Sequence, residues 1–252
     1  MATRSHRAPL TAYVLHHYDW SESSLILDLF TREQGRLAVA AKGAKKPHSN
    51  FRSVLLPFQR IHVSLSGTAA KDESSNSEVQ NLRGAEWAGG AAMLTGAALF
   101  SGFYLNELLM KLLARHDPHE GLFNAYALTL PELASSDETG GQAALRAFEL
   151  TLLQQSGLLP DLSVVTQTQQ PVRSDRRYGL LPESGVVDDG ELGGETLIGV
   201  QAALQHGSLP ALQLACRQAL PELKGALRGM IQHQLGNATL RTRQVMMDVQ
   251  NL

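Results

Sequence analysis

The chain has 252 residues, of which 43% are hydrophobic and 18% are charged, and its formal net charge is −2. This balance is typical of a soluble globular protein and argues against a disordered chain. The single cysteine, Cys216, excludes an intrachain disulfide and a cysteine-based zinc site.

The first third of the chain predicts short β-strands. Five segments rich in Val, Ile, Leu and aromatic residues, separated mostly by turn-type residues, cover residues 12–18, 24–31, 36–41, 57–66 and 77–86. The sequence "REQG" after the second segment predicts a hairpin turn closed by Gly35. Short strands with one long basic connection indicate a small closed barrel. The OB-fold is the commonest barrel of this kind, and the pattern alone would also permit an SH3-like barrel.

From Trp87 onward the apolar residues recur with helical spacing. Helices are predicted over residues 87–116, 118–135 and 140–157, and again from residue 194, with a break at Pro221. The segment around 158–195 is rich in prolines and glycines and predicts an irregular insertion. We therefore expect an α+β protein with a five-stranded OB-fold barrel at residues 1–85 and an all-helical domain at residues 86–252.

The connection after the third predicted strand is strongly basic. Between residues 32 and 60, seven Lys or Arg residues stand against Glu33 alone. Such asymmetry indicates binding to nucleic acid or to an anionic surface, and a solvated basic face is the alternative. Phosphate contacts are expected from Lys42, Lys45, Lys46 and Arg52, supported by Arg36 and Arg60, with base stacking by Trp20 and Phe51.

The sequence carries no motif of a known active site. It lacks the glycine patterns of phosphate and dinucleotide loops, the nucleophile elbow of hydrolases and the paired histidines of metalloproteases. Asp188 and Asp189 are the candidates for a metal-dependent nuclease, but their glycine-rich setting favours a turn. We therefore expect no catalysis and no cofactor. The N-terminus lacks the apolar core of a signal peptide and no apolar run could span a bilayer, so a cytoplasmic protein without membrane contact is expected.

Four stretches, in order along nearly the whole chain, carry a family resemblance. They are "AYVLHHYDWSESSLILDLFTREQGRLAVAAKGAKKPHS", "FYLNELLMKLLARHDPHEGLFNAYALTLPELA", "LRAFELTLLQQSGLLP" and "LGNATLRTRQVM". Together they resemble the RecO family of bacterial DNA-repair and recombination mediators. The resemblance implies an OB-fold that binds single- and double-stranded DNA, a helical domain, annealing of complementary strands, and no catalytic turnover.

The resemblance also implies partners. Family members contact RecR and the acidic C-terminal tail of single-stranded DNA-binding protein, and they help RecA load on coated DNA at the nucleoid. For the tail, the candidate contacts in this sequence are Lys111, Arg115, Arg241 and Arg243. Many members carry a four-Cys zinc module after the "FEL" helix, but here residues 158–187 contain no Cys. The alternative function is an interaction scaffold whose barrel binds a peptide, with incidental affinity for DNA.

Overall fold

The computed structural model describes residues 8–66, 79–90, 93–135, 137–236, 238–242 and 244–245. The chain divides into two compact units. The barrel unit comprises residues 1–94 and 106–123, and the helical unit comprises residues 95–105 and 124–252. The polar segment between the fourth and fifth predicted strands, residues 67–76, lies outside the described residues.

The barrel unit contains a closed barrel of five strands. The strands are β1 (Leu10–Asp19), β2 (Leu25–Thr31), β3 (Gly35–Ala41), β4 (Arg60–Leu65) and β5 (Val79–Trp87). Their order around the barrel is β1-β2-β3-β5-β4, and β3 pairs with β5 in parallel while the other neighbours are antiparallel. This OB-like barrel confirms the predicted fold class.

The barrel core follows from the alternation of side chains along the strands. Inward-facing positions at every second residue are aliphatic, and they form one buried cluster that includes Ala12, Val14, Leu27, Leu29, Leu37, Val39, Ile61 and Val63. Burying one such Val, Leu or Ile side chain contributes roughly 1.5–3 kcal/mol. The enrichment in Val, Ile and Leu that predicted the strands therefore also supplies the side chains that fill the barrel.

The predicted turn at "REQG" joins β2 to β3 as expected. Gly35 has a φ of +68°, which only glycine adopts without strain, and a Cβ there would lie 1.9 Å from the carbonyl oxygen of Asp117. The Thr31 hydroxyl donates to the Gly35 carbonyl at 2.8 Å and accepts from the Gln34 amide at 3.1 Å. The turn therefore needs glycine both for its backbone conformation and for the close approach of residue 117.

Six helices follow the barrel strands in the described residues. They are α1 (Gly96–Leu112), α2 (Glu120–Ser135), α3 (Glu138–Gln155), α4 (Gly194–His206), α5 (Leu209–Gln218) and α6 (Leu220–Leu235). The predicted break at Pro221 separates α5 from α6, and this proline stands in the first turn of α6. Among the described helices none is long and apolar enough to cross a membrane.

The segment predicted to be irregular contains a small antiparallel sheet. Its strands are β6 (Arg177–Leu181), β7 (Gly185–Asp188) and β8 (Leu192–Gly193), in the order β7-β6-β8. The buried Tyr178 holds the sheet to the preceding loop, because its hydroxyl accepts from the Arg173 amide at 2.9 Å. Within the described part of the chain, no cluster of three or more His, Cys, Asp or Glu side chains could hold a metal ion.

Cys216 lies buried on α5. Burial raises the pKa of its thiol to about 12, opposed by the positive charge of Arg146 and reinforced by the negative charge of Glu149. The thiol is therefore protonated at neutral pH and unreactive, because the thiolate is the nucleophilic form.

Candidate functional site

The basic segment, residues 42–56, follows β3 and consists of successive turns. Three backbone amides each donate to the carbonyl three residues earlier in the chain. The bonds run from Lys46 to Gly43 at 3.1 Å, from Ser49 to Lys46 at 3.0 Å and from Arg52 to Ser49 at 3.2 Å. Ala44 and Leu55 are buried in the barrel core, and Phe51 packs against the same core. The segment is therefore fixed to the barrel by its apolar residues, and its cations are distributed along an ordered backbone.

The turn between β1 and β2 is bonded to this basic segment. The Lys45 amide donates to the Ser23 carbonyl at 3.0 Å, and its Nζ donates to the Ser21 carbonyl at 3.0 Å. The same Nζ pairs with Asp19 Oδ1 at 3.2 Å. The Gly43 amide donates to Ser24 Oγ at 3.4 Å. Lys45 therefore joins the two loops, and its predicted contact with phosphate stays a prediction.

A cavity of about 500 Å³ lies between the two loops. It is lined by Trp20, Ser21, Ser23, Ser24, Lys42, Gly43 and Lys46. Both Lys42 and Lys46 are exposed to solvent, and Trp20 is 57% exposed. We call Trp20, Lys42 and Lys46 the rim cluster. Two cations neutralise phosphates and an exposed indole offers a face on which a base can stack.

Exposed rings continue along the end of β1. Tyr18 is 50% exposed and makes an edge-on contact with His16, with ring centroids 4.5 Å apart. The register between β1 and β2 shifts between Val14 and His16, which is a β-bulge or similar irregularity. Tyr18 was not among the predicted contact residues. Its position two residues before Trp20, where the apolar pattern of β1 stops, is the sequence signal that could have identified it.

Arg36 differs from the exposed residues of this surface because its side chain is buried. Its guanidinium pairs with Asp28 at 3.0–3.1 Å, donates to the Leu113 carbonyl at 2.8 Å and also donates to the Met110 carbonyl. Asp28 in turn lies 3.6 Å from Arg115. The Arg36 side chain therefore connects β2 and β3 to the end of α1, and it has no role in the proposal below.

The other predicted cations and rings fall into two groups. Arg52 is exposed on the basic segment. Arg60 is half-buried at the start of β4, and its Nη2 donates to the Ala88 carbonyl at 3.4 Å. Phe51 is half-buried against the barrel core, so most of its ring area is used in packing. Of these three, Arg52 is the one whose charge is most open to a ligand in solution.

The residues predicted to contact the partner tail belong to different parts of the chain. Lys111 lies 3.7 Å from Glu107 on α1, and Arg115 lies near Asp28 in the barrel unit. Arg241 is exposed beyond α6, and Arg243 lies outside the described residues. Lys111, Arg115 and Arg241 do not line the pocket described next.

The helical unit contains a pocket of about 420 Å³ between α1, α3 and α6. Its apolar wall includes Leu145, Ile231 and Leu240, and its polar wall includes Tyr104 and Arg146. Lys224 and Arg228 line it from α6 and are exposed. They share one face of the helix because they are four residues apart. The pocket is thus apolar with basic groups around it, a combination suited to an acidic ligand with an apolar end.

The polar wall of this pocket is joined to a buried carboxylate. Glu149 on α3 is fully buried, and its Oε1 accepts from the Tyr104 hydroxyl at 2.6 Å and pairs with Arg146 Nη2 at 2.9 Å. Burial raises the pKa of Glu149, and the charge of Arg146 and the Tyr104 hydrogen bond oppose this shift. Arg146 gave no signal in the sequence, because it occupies an ordinary helical position whose neighbours come from distant segments.

The fold and these surfaces first define a class: an OB-type barrel protein with a basic and aromatic rim, followed by a helical part. A family model described as Recombination protein O N terminal matches residues 7–84, and one described as Recombination protein O C terminal matches residues 93–244. The chain belongs to this RecO family, which confirms the resemblance found in the sequence.

Curated relatives match along their whole length. The DNA repair protein RecO of Polaromonas naphthalenivorans (strain CJ2) is 51% identical over 247 residues, which cover 96% of each chain. That of Verminephrobacter eiseniae (strain EF01-2) is 48% identical over 258 residues, and that of Delftia acidovorans (strain DSM 14801 / SPH-1) is 46% identical over 267 residues, each covering 100% of both chains.

Proposed function

We propose that this chain is a non-enzymatic, DNA-binding mediator of recombinational DNA repair. It binds single- and double-stranded DNA through the barrel unit, anneals complementary strands and helps RecA load on strands coated by single-stranded DNA-binding protein. Family membership supports the role in repair and recombination. The observation that carries DNA binding is the rim cluster, where Lys42, Lys46 and Trp20 line one cavity.

The rim cluster suits binding that is blind to sequence. Annealing requires contacts with phosphates and base faces, because contacts with base edges would favour particular sequences. Lysines neutralise phosphates through charge and an exposed indole stacks on any base. Hydrogen bonds of Lys45 and Ser24 order the backbone around these residues. Less conformational entropy is therefore lost when DNA binds.

The double variant Lys42→Ala/Lys46→Ala tests this proposal. Each lost phosphate contact should reduce the slope of log association constant against log salt by roughly 0.7 for a single strand. We therefore expect weaker binding of a labelled oligonucleotide and a slope lowered by roughly 1.4. Fluorescence anisotropy from low to moderate salt measures both. An unchanged slope and affinity in a folded variant would show that the rim cluster is not the DNA site.

Lys224→Ala/Arg228→Ala provides the matched control. It also removes two exposed lysine or arginine charges, but from the pocket of the helical unit. If charge removal alone weakened DNA binding, both double variants would lower the slope equally. We expect the pocket variant to keep the slope of the unaltered protein.

We further propose that the pocket of the helical unit receives the acidic, apolar-ended tail of single-stranded DNA-binding protein. The apolar wall accommodates the terminal apolar side chain, while Lys224 and Arg228 attract the acidic residues that precede it. RecR is the second proposed partner, on the basis of family resemblance alone.

A peptide of four aspartates, a leucine and a C-terminal phenylalanine probes the pocket. We expect it to bind the unaltered protein and the rim variant equally. Binding to Lys224→Ala/Arg228→Ala should be several-fold weaker, because two attractive charges are lost. Equal binding by all three proteins would place the peptide elsewhere. Annealing of coated complementary strands then measures whether DNA and partner contacts work together.

A further inference from the structure

The pocket of the helical unit has two polar wall residues that come from different helices and share one buried acceptor. Tyr104 lies on α1 and Arg146 on α3, and both contact Oε1 of Glu149, at 2.6 Å and 2.9 Å. Glu149 itself is completely buried and does not line the pocket. It therefore cannot touch a bound peptide, although it touches both groups that can.

We propose that Glu149 is a positioning residue that sets the pocket's preference for a free terminal carboxylate. This inference rests on the proposed function of the pocket. Glu149 contacts one edge of the Arg146 guanidinium and thereby fixes the orientation of that guanidinium in the pocket wall. A guanidinium fixed in this way binds a carboxylate by charge-assisted hydrogen bonds without first losing rotamer freedom.

The way in which Arg146 is held supports this assignment. Arg146 is 8% exposed, so it sits in the wall rather than reaching in from the rim. Among the described residues, Arg146 Nε and Glu149 Oε2 are buried without a hydrogen-bond partner, and the pair is joined through Nη2 and Oε1. Removal of Glu149 Oε1 would therefore take away the carboxylate contact of the guanidinium. Lys224 and Arg228 are exposed, so their side chains would lose more rotamer freedom than Arg146 on binding the terminal carboxylate.

The experiment compares two forms of the aspartate, leucine and phenylalanine peptide, one with a free C-terminal carboxylate and one with a C-terminal amide. The unaltered protein should bind the free acid at least about tenfold more tightly, as expected for a charge-assisted pair. Glu149→Leu should bring this ratio close to one. Glu149→Gln should retain most of it, because the amide oxygen still accepts from Tyr104 and Arg146.

The ratio separates positioning from a purely structural role. If Glu149 only stabilised the fold, Glu149→Leu would weaken both peptides equally and the ratio would stay. Should Glu149→Leu fail to fold by circular dichroism, Glu149→Asp decides, because it keeps the charge but draws the carboxylate back from Tyr104 and Arg146, and it should lower the ratio several-fold. An unchanged ratio in a folded Glu149→Leu or Glu149→Asp variant overturns the inference.

Peptide binding by the unaltered protein tests the assignment of the pocket separately from the positioning role of Glu149. If it binds neither peptide, the assignment of the pocket to an acidic tail fails. If it binds the acid and the amide equally, that assignment stands and the positioning role of Glu149 fails.

Discussion

At the scale of the residue, the structure distinguishes basic side chains that the sequence presents as equivalent. Arg36, Lys45 and Lys46 all belong to the basic stretch, and each was predicted to contact DNA. Arg36 is buried against Asp28, Lys45 is half-buried between two loops, and Lys46 is exposed. Their partners come from residues far along the chain, such as Leu113 for Arg36, and local pattern contains no information on such contacts.

The burial of Arg36 gives a prediction about stability. Arg36→Met removes the main partner of Asp28, whose side chain is 4% exposed and, among the ion pairs of the described residues, would keep the Arg115 contact at 3.6 Å. Breaking a buried ion pair from one side costs about 3–5 kcal/mol, because the remaining charge stays desolvated. We expect a loss of this size in the free energy of unfolding, measured by urea denaturation. Arg52→Ala, at an exposed position, should change it by less than about 0.5 kcal/mol.

A loss below about 1 kcal/mol for Arg36→Met would contradict the structural role. In that case the Arg36 guanidinium would be free enough to serve as a DNA contact, and the salt dependence of DNA binding by this variant would report it. The same two measurements therefore distinguish a fold-stabilising arginine from a phosphate-binding one.

At the scale of the element, the strands and helices with a strong period were predictable and the shorter ones were not. β1 to β5 alternate apolar residues towards a closed core, and α5 and α6 separate at Pro221 as predicted. The sheet of β6, β7 and β8 was missed because its strands have 5, 4 and 2 residues, too short for a period to emerge. The pocket between α1, α3 and α6 depends on tertiary packing and has no counterpart in a local pattern.

Helix α3 offers a prediction about capping, because it positions Arg146 and Glu149. Asp137 caps its N-terminus by accepting from the Gly140 amide at 2.7 Å, and its other oxygen lies 3.3 Å from Arg217. Asp137→Ala should cost about 1 kcal/mol of unfolding free energy, since an amide of the first turn loses its acceptor. Asp137→Asn should lose much less, because its side-chain oxygen can still cap the helix.

Thermal or urea unfolding of the two Asp137 variants separates the cap from the ion pair. The pair with Arg217 is exposed and contributes little. Arg217→Ala is the matched control, which removes the pair and leaves the cap. A loss in Arg217→Ala equal to that in Asp137→Ala would show that the ion pair, rather than the cap, carries the stabilisation.

At the scale of the whole molecule, the charge is distributed unevenly along the chain. Residues 1–83 carry 11 basic and 7 acidic residues, whereas the remainder carries 11 basic and 17 acidic residues. The net charge of −2 conceals this asymmetry. A polyanion is attracted to the first part, while the acidic remainder disfavours it except where basic side chains gather, as they do around the pocket.

The two proposed sites share no residue, and this yields a prediction about simultaneous binding. The rim cluster lies in the barrel unit, while the residues of the pocket belong to the helical unit. At moderate salt, a saturating amount of the acidic peptide should therefore leave the anisotropy of a bound, labelled oligonucleotide unchanged, whereas excess unlabelled oligonucleotide should reduce it to that of free DNA. If the barrel itself were the peptide site, as in the scaffold alternative, the peptide would displace the DNA, and Lys42→Ala/Lys46→Ala would weaken both ligands together.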